Sequence, residues 1–146
     1  MALITYADKQ AMGTQPSIPD VNKVTDSDMN EIKQGINNST SYSTTEQVVG
    51  TWNNKPLYRK VIECGALPNN ANKDVVHNIQ NLGITTRCNG MAVRTSDSRA
   101  LTIPDSTPSA EISCGVTNTN VYITTHNDRR SFNYSFLTLE YTKTTD

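Results

Sequence analysis

Nowhere in this 146-residue chain does an apolar run approach the ~18 residues that mark a membrane-crossing helix. The N-terminus also lacks the basic and apolar regions of a secretory signal. Neither membrane insertion nor export by that route is expected. Charge of one sign is missing too: 13 Lys and Arg against 14 Asp and Glu leave a net charge of −1. The cations are scattered, so there is no basic footprint for nucleic acid. Histidine is scarce, and neither His77 nor His126 lies in an H-x-x-x-H or comparable spacing. Cysteine is scarce and odd in number. Cys64, Cys88 and Cys114 are widely spaced with no C-x-x-C, which leaves zinc and dithiol redox motifs without support. All three fall in strand-like runs, and buried free thiols acting as small hydrophobes are expected. A disulfide framework would be unexpected in a reducing cytoplasm.

The signatures of catalysis are equally thin. No G-x-S-x-G, Walker loop or Gly-rich dinucleotide turn occurs. A carboxylate pair for glycoside cleavage would have to come from Glu63, Asp97, Asp105, Glu111, Asp128 and Glu140, mostly near loops and not paired in sequence. His77 occupies a strand-like position that suits a hydrogen-bonded structural histidine better than a base. The expectation is a protein that is not an enzyme and holds no metal and no cofactor.

What the chain does contain is Thr, Ser and Asn. Hydrophobic residues make up 35% of it, below the ~45–50% of an ordinary globular chain, although that benchmark also counts Gly. The profile suits an exposed all-β protein whose thin core is supplemented at subunit contacts. The length fits one domain with a short appendage. Repeats and low-complexity segments are absent.

In chain order, residues 1–24 carry Pro16 and Pro19 and no sustained period, so a continuous helix is forbidden there. Ala2-Leu3-Ile4 and Tyr6 supply apolar anchors that a bare linker would not need, and the segment reads as an extended attachment peptide. A short helix is predicted over 25–39. Thr25 or Ser27 can cap it, and Asp26, Asp28 and Glu31 complement its dipole. Met29, Ile32 and Ile36 recur at i, i+3 and i+7 as one apolar stripe. That stripe packs either on its own domain or in a parallel bundle of three copies.

The most informative stretch is Tyr42 to Cys64. Two β-rich runs, Glu46–Trp52 and Leu57–Cys64, flank Asn53-Asn54-Lys55-Pro56, which read together as a tight turn. Gly50 eases the first strand near that turn. Downstream, Val75–Ile79 reads as a short strand, and Leu82–Cys88 as another. Asn89-Gly90 is a hairpin signal leading into Met91–Arg94. Ala100–Ile103 is a strand stopped by Pro104. Ala110–Val116 and Val121–Thr124 are joined by the polar turn Thr117–Asn120. The last strand, within Phe132–Lys143, sets Leu137, Leu139 and Tyr141 on one face. Tyr134, Phe136, Thr138 and Glu140 lie on the other, apolar only at its start. Eight or nine strands with no interleaved helix predict a mainly β protein, a β-sandwich head over 40–146.

Several of these phrases, in order, resemble a domain found near the C-termini of bacteriophage fibre and receptor-binding proteins. They are Tyr42–Glu46, Val49–Trp52, Lys55–Lys60, Leu67-Pro68-Asn69, His77-Asn78-Ile79 and the terminal Tyr141–Asp146. The similarity covers most of residues 42–146, with Asn54 where that pattern usually has Gly. Asp8–Val24 likewise resembles the start of such fibres. The resemblance implies a jelly-roll-like head and a homotrimer with a seam formed by Met29, Ile32 and Ile36. It also implies attachment to another virion structural protein through residues 1–24, on the surface of a particle assembled in the host cytoplasm. A chain without a long shaft suits a capsid head fibre or a small tip protein. An alternative is a tail-tip receptor-binding protein that recognises a host surface glycan, and a depolymerase fragment is a third reading.

Candidate contact residues follow. Trp52 and Tyr58 flank the hairpin turn and could form an aromatic platform for sugar, or pack on the fold or a neighbouring subunit. The loop His126, Asn127, Asp128, Arg129 and Arg130 offers directional donors and acceptors. Tyr134 or Phe136 is expected in or beside a subunit interface, with Glu140 facing solvent.

Overall fold

Asn53 and Asn54 both adopt positive φ, 50° and 62°, the backbone of a two-residue type I′ turn. In this computed structural model, which describes residues 26–39, 41–108 and 111–146, that turn joins strands β1 (Gln47–Trp52) and β2 (Lys55–Glu63). Lys55 and Pro56, expected within the turn, open β2 instead. Trp52 and Lys55 flank the two-residue turn, so Thr51 and Pro56, the next pair in register, fall at a non-hydrogen-bonded position. On the far side, pairing with the neighbouring strand starts only at Tyr58. No ladder needs the N–H that Pro56 lacks. Gly50 sits at a β-bulge, where the register of β1 slips by one residue between Val48 and Gly50.

The remaining elements are α1 (Asp26–Ser39), β3 (Asn72–Val76), β4 (Leu82–Arg94), β5 (Arg99–Ile103), β6 (Ile112–Val116), β7 (Asn120–Thr125) and β8 (Tyr134–Lys143). They form a five-stranded sheet ordered β1-β2-β8-β4-β5 and a three-stranded sheet ordered β3-β7-β6. Every pairing is antiparallel. The described residues are therefore mainly β, with one short helix. No helix among them is long and apolar enough to cross a membrane. The attachment segment 1–24, the Thr25 cap and Ala110 lie outside the described residues.

One core serves both sheets. The alternation expected of the last strand holds on its first face: Leu137, Leu139 and Tyr141 are fully buried. They join Ile62, Ala92 and Ile103 of the same sheet and Ile112, Val121 and Ile123 of the other. Each Leu, Ile or Val among them contributes about 1.5–3 kcal/mol on burial, so these positions hold the two sheets together.

Two strands differ from expectation. Asn89-Gly90 does not turn, because β4 runs unbroken through it, with Gly90 opposite Leu137. Glycine serves a close approach there: a Cβ at Gly90 would lie 1.8 Å from the carbonyl oxygen of Phe136. The expected strand Val75–Ile79 is shifted to Asn72–Val76. His77 leaves the ladder and is buried. Its Nδ1 accepts from Ile79 N–H at 3.0 Å, which leaves Nε2–H to donate to the Thr117 carbonyl at 3.2 Å. It is a structural histidine.

Candidate interaction surface

The second face of β8 shapes the outside of the five-stranded sheet. Phe136 sits between Glu63 of β2 and Met91 of β4, Thr138 between Val61 and Asn89, and Glu140 between Arg59 and Arg87. Tyr134 lies opposite Val93. Two halves result. One end carries Tyr134, Phe136, Val61, Met91 and Val93, and the other carries two arginines around one carboxylate.

The charged half is more enclosed than the sequence implied. Glu140, expected to face solvent, keeps only 14% of its side chain exposed, and Arg59 keeps 12%. Arg59 donates from Nε and Nη2 to Glu140 Oε1 at 2.9 and 2.7 Å. Arg87 lies farther off, at 3.8 Å. The guanidinium of Arg59 also reaches the Ser41 carbonyl at 3.3 Å and lies 4.7 Å from the centre of the Tyr42 ring. The segment before β1 is therefore pinned beside β2, with Val61 N–H donating to the Ser43 carbonyl at 2.8 Å.

Between that pinned segment and the apolar half runs an open groove of about 490 Å³. Val61 and Thr138 line it along the sheet, with Tyr134 and Phe136 beside Tyr42, Ser43 and Thr44. Glu63 lines it as well and accepts from the Tyr134 hydroxyl at 3.4 Å. Burial and the Glu63 carboxylate both raise the Tyr134 phenol above its ordinary value. Phe136, singled out from the sequence, is half-buried and lines this groove. Tyr42 and Val61 had not been singled out, and Glu63 only as a candidate carboxylate; the alternation of β2 places Val61 and Glu63 on the face opposite Ile62, but no local signal names their partners.

A second apolar surface lies on α1, beside β1. Met29, Ile32 and Ile36 are 41%, 53% and 48% exposed. Their spacing keeps them on one side of a 14-residue helix about 21 Å long.

The other sequence candidates are placed differently. Trp52 and Tyr58 do not form one platform. The bulge sets Trp52 in register with Lys55 and Tyr58 with Val48, and positions three apart on β2 point to opposite faces. Trp52 stays exposed beside the turn. Tyr58 stacks on Tyr141, with centroids 5.9 Å apart, and Lys143 Nζ lies 4.5 Å from its ring centre. Lys143 and the Tyr141 hydroxyl both donate to Glu46, and desolvation with that contact pushes the Tyr141 phenol up.

In the loop after β7, Arg130 donates to Asp128 through Nε and Nη2 at 3.0 and 2.7 Å. That holds the Asp128 carboxyl down at about 2. The loop is stitched to the connection after β2, since Asn70 N–H donates to Asn127 and Arg129 N–H to the Pro68 carbonyl. His126 N–H donates to Glu111, and the His126 side chain lines a smaller cavity of about 220 Å³. Arg129 is half-buried with its Nε lacking a hydrogen-bond partner. These contacts fix the loop's backbone, while Arg130 and Asp128 keep 66% and 50% of their side chains exposed. Among the described residues no group of three or more His, Cys, Asp or Glu side chains is placed to hold a metal.

No known protein family, curated protein or solved structure matches this chain.

Proposed function

We propose that the chain is a structural fibre or decoration protein of a bacteriophage particle. In this reading it is a homotrimer, attached through residues 1–24, and its two sheets form a jelly-roll-like β-sandwich head that meets the host surface. It is not an enzyme, and its surroundings are the outside of a virion. The fibre-like phrases between Tyr42 and Asp146 support the virion assignment. The observation that carries the assembly is the exposed apolar stripe Met29/Ile32/Ile36 on α1.

Magnitudes decide how that stripe is used. Covering three half-exposed side chains contributes about 1 kcal/mol each, or ~9 kcal/mol in a trimer. Association costs ~4–15 kcal/mol per step in lost freedom, and a trimer needs two steps. The helical seam alone is therefore too weak, and the head must add to it. Phe136 and Tyr134, on the apolar half of the sheet, are the residues for that contact.

Sedimentation equilibrium of the full chain is expected to give three times the 16.1 kDa protomer mass. A monomer at that mass refutes the trimer. Ile32→Asp should weaken assembly by setting three charges in one apolar seam; if α1 packs only on its own domain, the variant loses stability with no change of oligomeric state. Deleting residues 1–24 should leave a folded head that no longer joins particles. Truncated protein on purified virions at full copy number would refute the anchor.

The groove favours a second reading, a tail-tip protein that recognises a host glycan. Aromatic rings of Tyr42, Tyr134 and Phe136 beside the carboxylate of Glu63 and the hydroxyls of Ser43, Thr44 and Thr138 suit the C–H faces and hydroxyls of a sugar. A glycan array separates the readings: saturable binding that Tyr134→Ala removes supports the second, and a blank array supports the first.

A further inference from the structure

We infer that Cys88 and Cys114 are the site of a reversible disulfide that ties the two sheets together. Cys88 lies on β4, in register with Leu139 of the five-stranded sheet. Cys114 lies on β6, in register with Ile123 of the three-stranded sheet. Their sulfurs are 3.8 Å apart, and both thiols are free. The two strands approach within 8 Å between Cα atoms, closer than the ~10 Å that usually separates stacked sheets. Sulfur atoms in van der Waals contact need a further approach of ~1.8 Å to bond.

The thiols are also unequal. Cys88 S–H donates to the sulfur of Cys114, and Cys114 S–H donates to the Cys88 carbonyl at 3.7 Å. Accepting that hydrogen bond draws the Cys114 thiol below its ordinary value, while donating it, with burial, pushes Cys88 up. Cys114 is thus the first nucleophile and Cys88 the resolving thiol. Both are only partly buried. Cys64 differs: it is buried, donates to the Ile62 carbonyl at 3.4 Å, and is pushed up to about 11 by burial.

The oxidant is a low-molecular-weight disulfide. Cys114 loses its proton and attacks one of its sulfurs, breaking that S–S bond. One small thiolate leaves, and a mixed disulfide remains on Cys114. Cys88 then loses its proton, and its thiolate attacks the Cys114 sulfur, forming the inter-sheet bond and expelling the second small thiolate. The two protons end on the two released thiols. The protein is oxidised by two electrons, and the small disulfide is reduced by two. In a reducing compartment the same exchange runs backwards. The bond does not depend on the fibre reading, and its failure would leave that reading untouched.

The test is to incubate the folded full chain with oxidised glutathione, alkylate remaining thiols under denaturing conditions, and map the products by mass spectrometry. Alkylation should fall from three sites to one, at Cys64. A Cys88–Cys114 linked peptide should appear and be lost on reduction. Cys88→Ser should halt at a glutathione adduct on Cys114. The inference is overturned if all three thiols remain alkylatable, if adducts accumulate on the unsubstituted chain without a cross-link, or if the cross-link involves Cys64. Should the Ser variant fail to fold, the mapping of the unsubstituted chain still decides.

Discussion

Replacing Glu140 with Ala removes the carboxylate that accepts two hydrogen bonds from Arg59 on the outer sheet face. An exposed ion pair contributes ~0–1 kcal/mol, whereas breaking a fully buried one costs ~3–5 kcal/mol. With 12% and 14% of the two side chains exposed, this pair lies near the buried limit. Water at its open edge and the exposed Arg87 at 3.8 Å argue against the full penalty. The expected loss is about 2–3 kcal/mol, which lowers a urea midpoint by ~1 M or more at ordinary m-values. The double variant Arg59→Leu/Glu140→Leu should recover much of that loss, because what costs is an enclosed Arg59 charge deprived of the Glu140 carboxylate. Urea unfolding of Arg59→Leu, Glu140→Leu and the double variant, at one protein concentration, closes the cycle. A single-variant cost under ~0.5 kcal/mol with no coupling between the sites would show that the pair is solvated, and the reasoning would fail. The same variant should loosen residues 41–46, read as faster proteolysis there, since Arg59 holds both the Ser41 carbonyl and the Tyr42 ring.

Gly90→Ala should destabilise by at least ~3 kcal/mol, since the new methyl meets backbone and not a side chain that can move. Gly50→Ala, with nothing within 4 Å of its Cβ, should be near neutral in the same assay. Asn54→Gly should stabilise by a few tenths of a kcal/mol, about what Asn loses at φ 62°; a destabilised variant would mean that the Asn54 side chain holds the turn. Cys64 is pushed up to about 11 by burial, so its contribution is complete below pH 9, where the unfolded thiol is also protonated. That contribution is lost as pH rises from 9 through 11. Cys64→Ala should flatten that part of the stability profile, and an unchanged slope would refute the assignment.

What could be read in the sequence was local. The alternation of β8 named Leu137, Leu139 and Tyr141 as core because side-chain direction follows a period of two whatever the partner strand is. The hairpin was readable from two asparagines that tolerate positive φ. Asn89-Gly90 misled for the same physical reason that makes the dipeptide informative. A missing Cβ serves a turn or a close approach, and only the pairing partner, here Phe136, tells them apart. The groove and the Arg59–Glu140 pair were illegible because they depend on β2 and β8 lying side by side, with the charged partners 81 positions apart. Cys88 and Cys114 read as isolated small hydrophobes for want of the inter-sheet distance.

The central place of β8 bears on how the chain is made. It is the last strand in sequence, yet it is hydrogen-bonded on one side to β2 and on the other to β4. During synthesis the β1–β2 hairpin leaves the ribosome 81 residues before Glu140 arrives opposite Arg59. At ~5–20 residues per second, the inner edge of β2 waits about 4–16 s for its partner. Over that interval a row of open backbone groups is available to any other extended chain. Translation speed and chaperone supply, more than the stability of the finished fold, would then set the yield of folded protein.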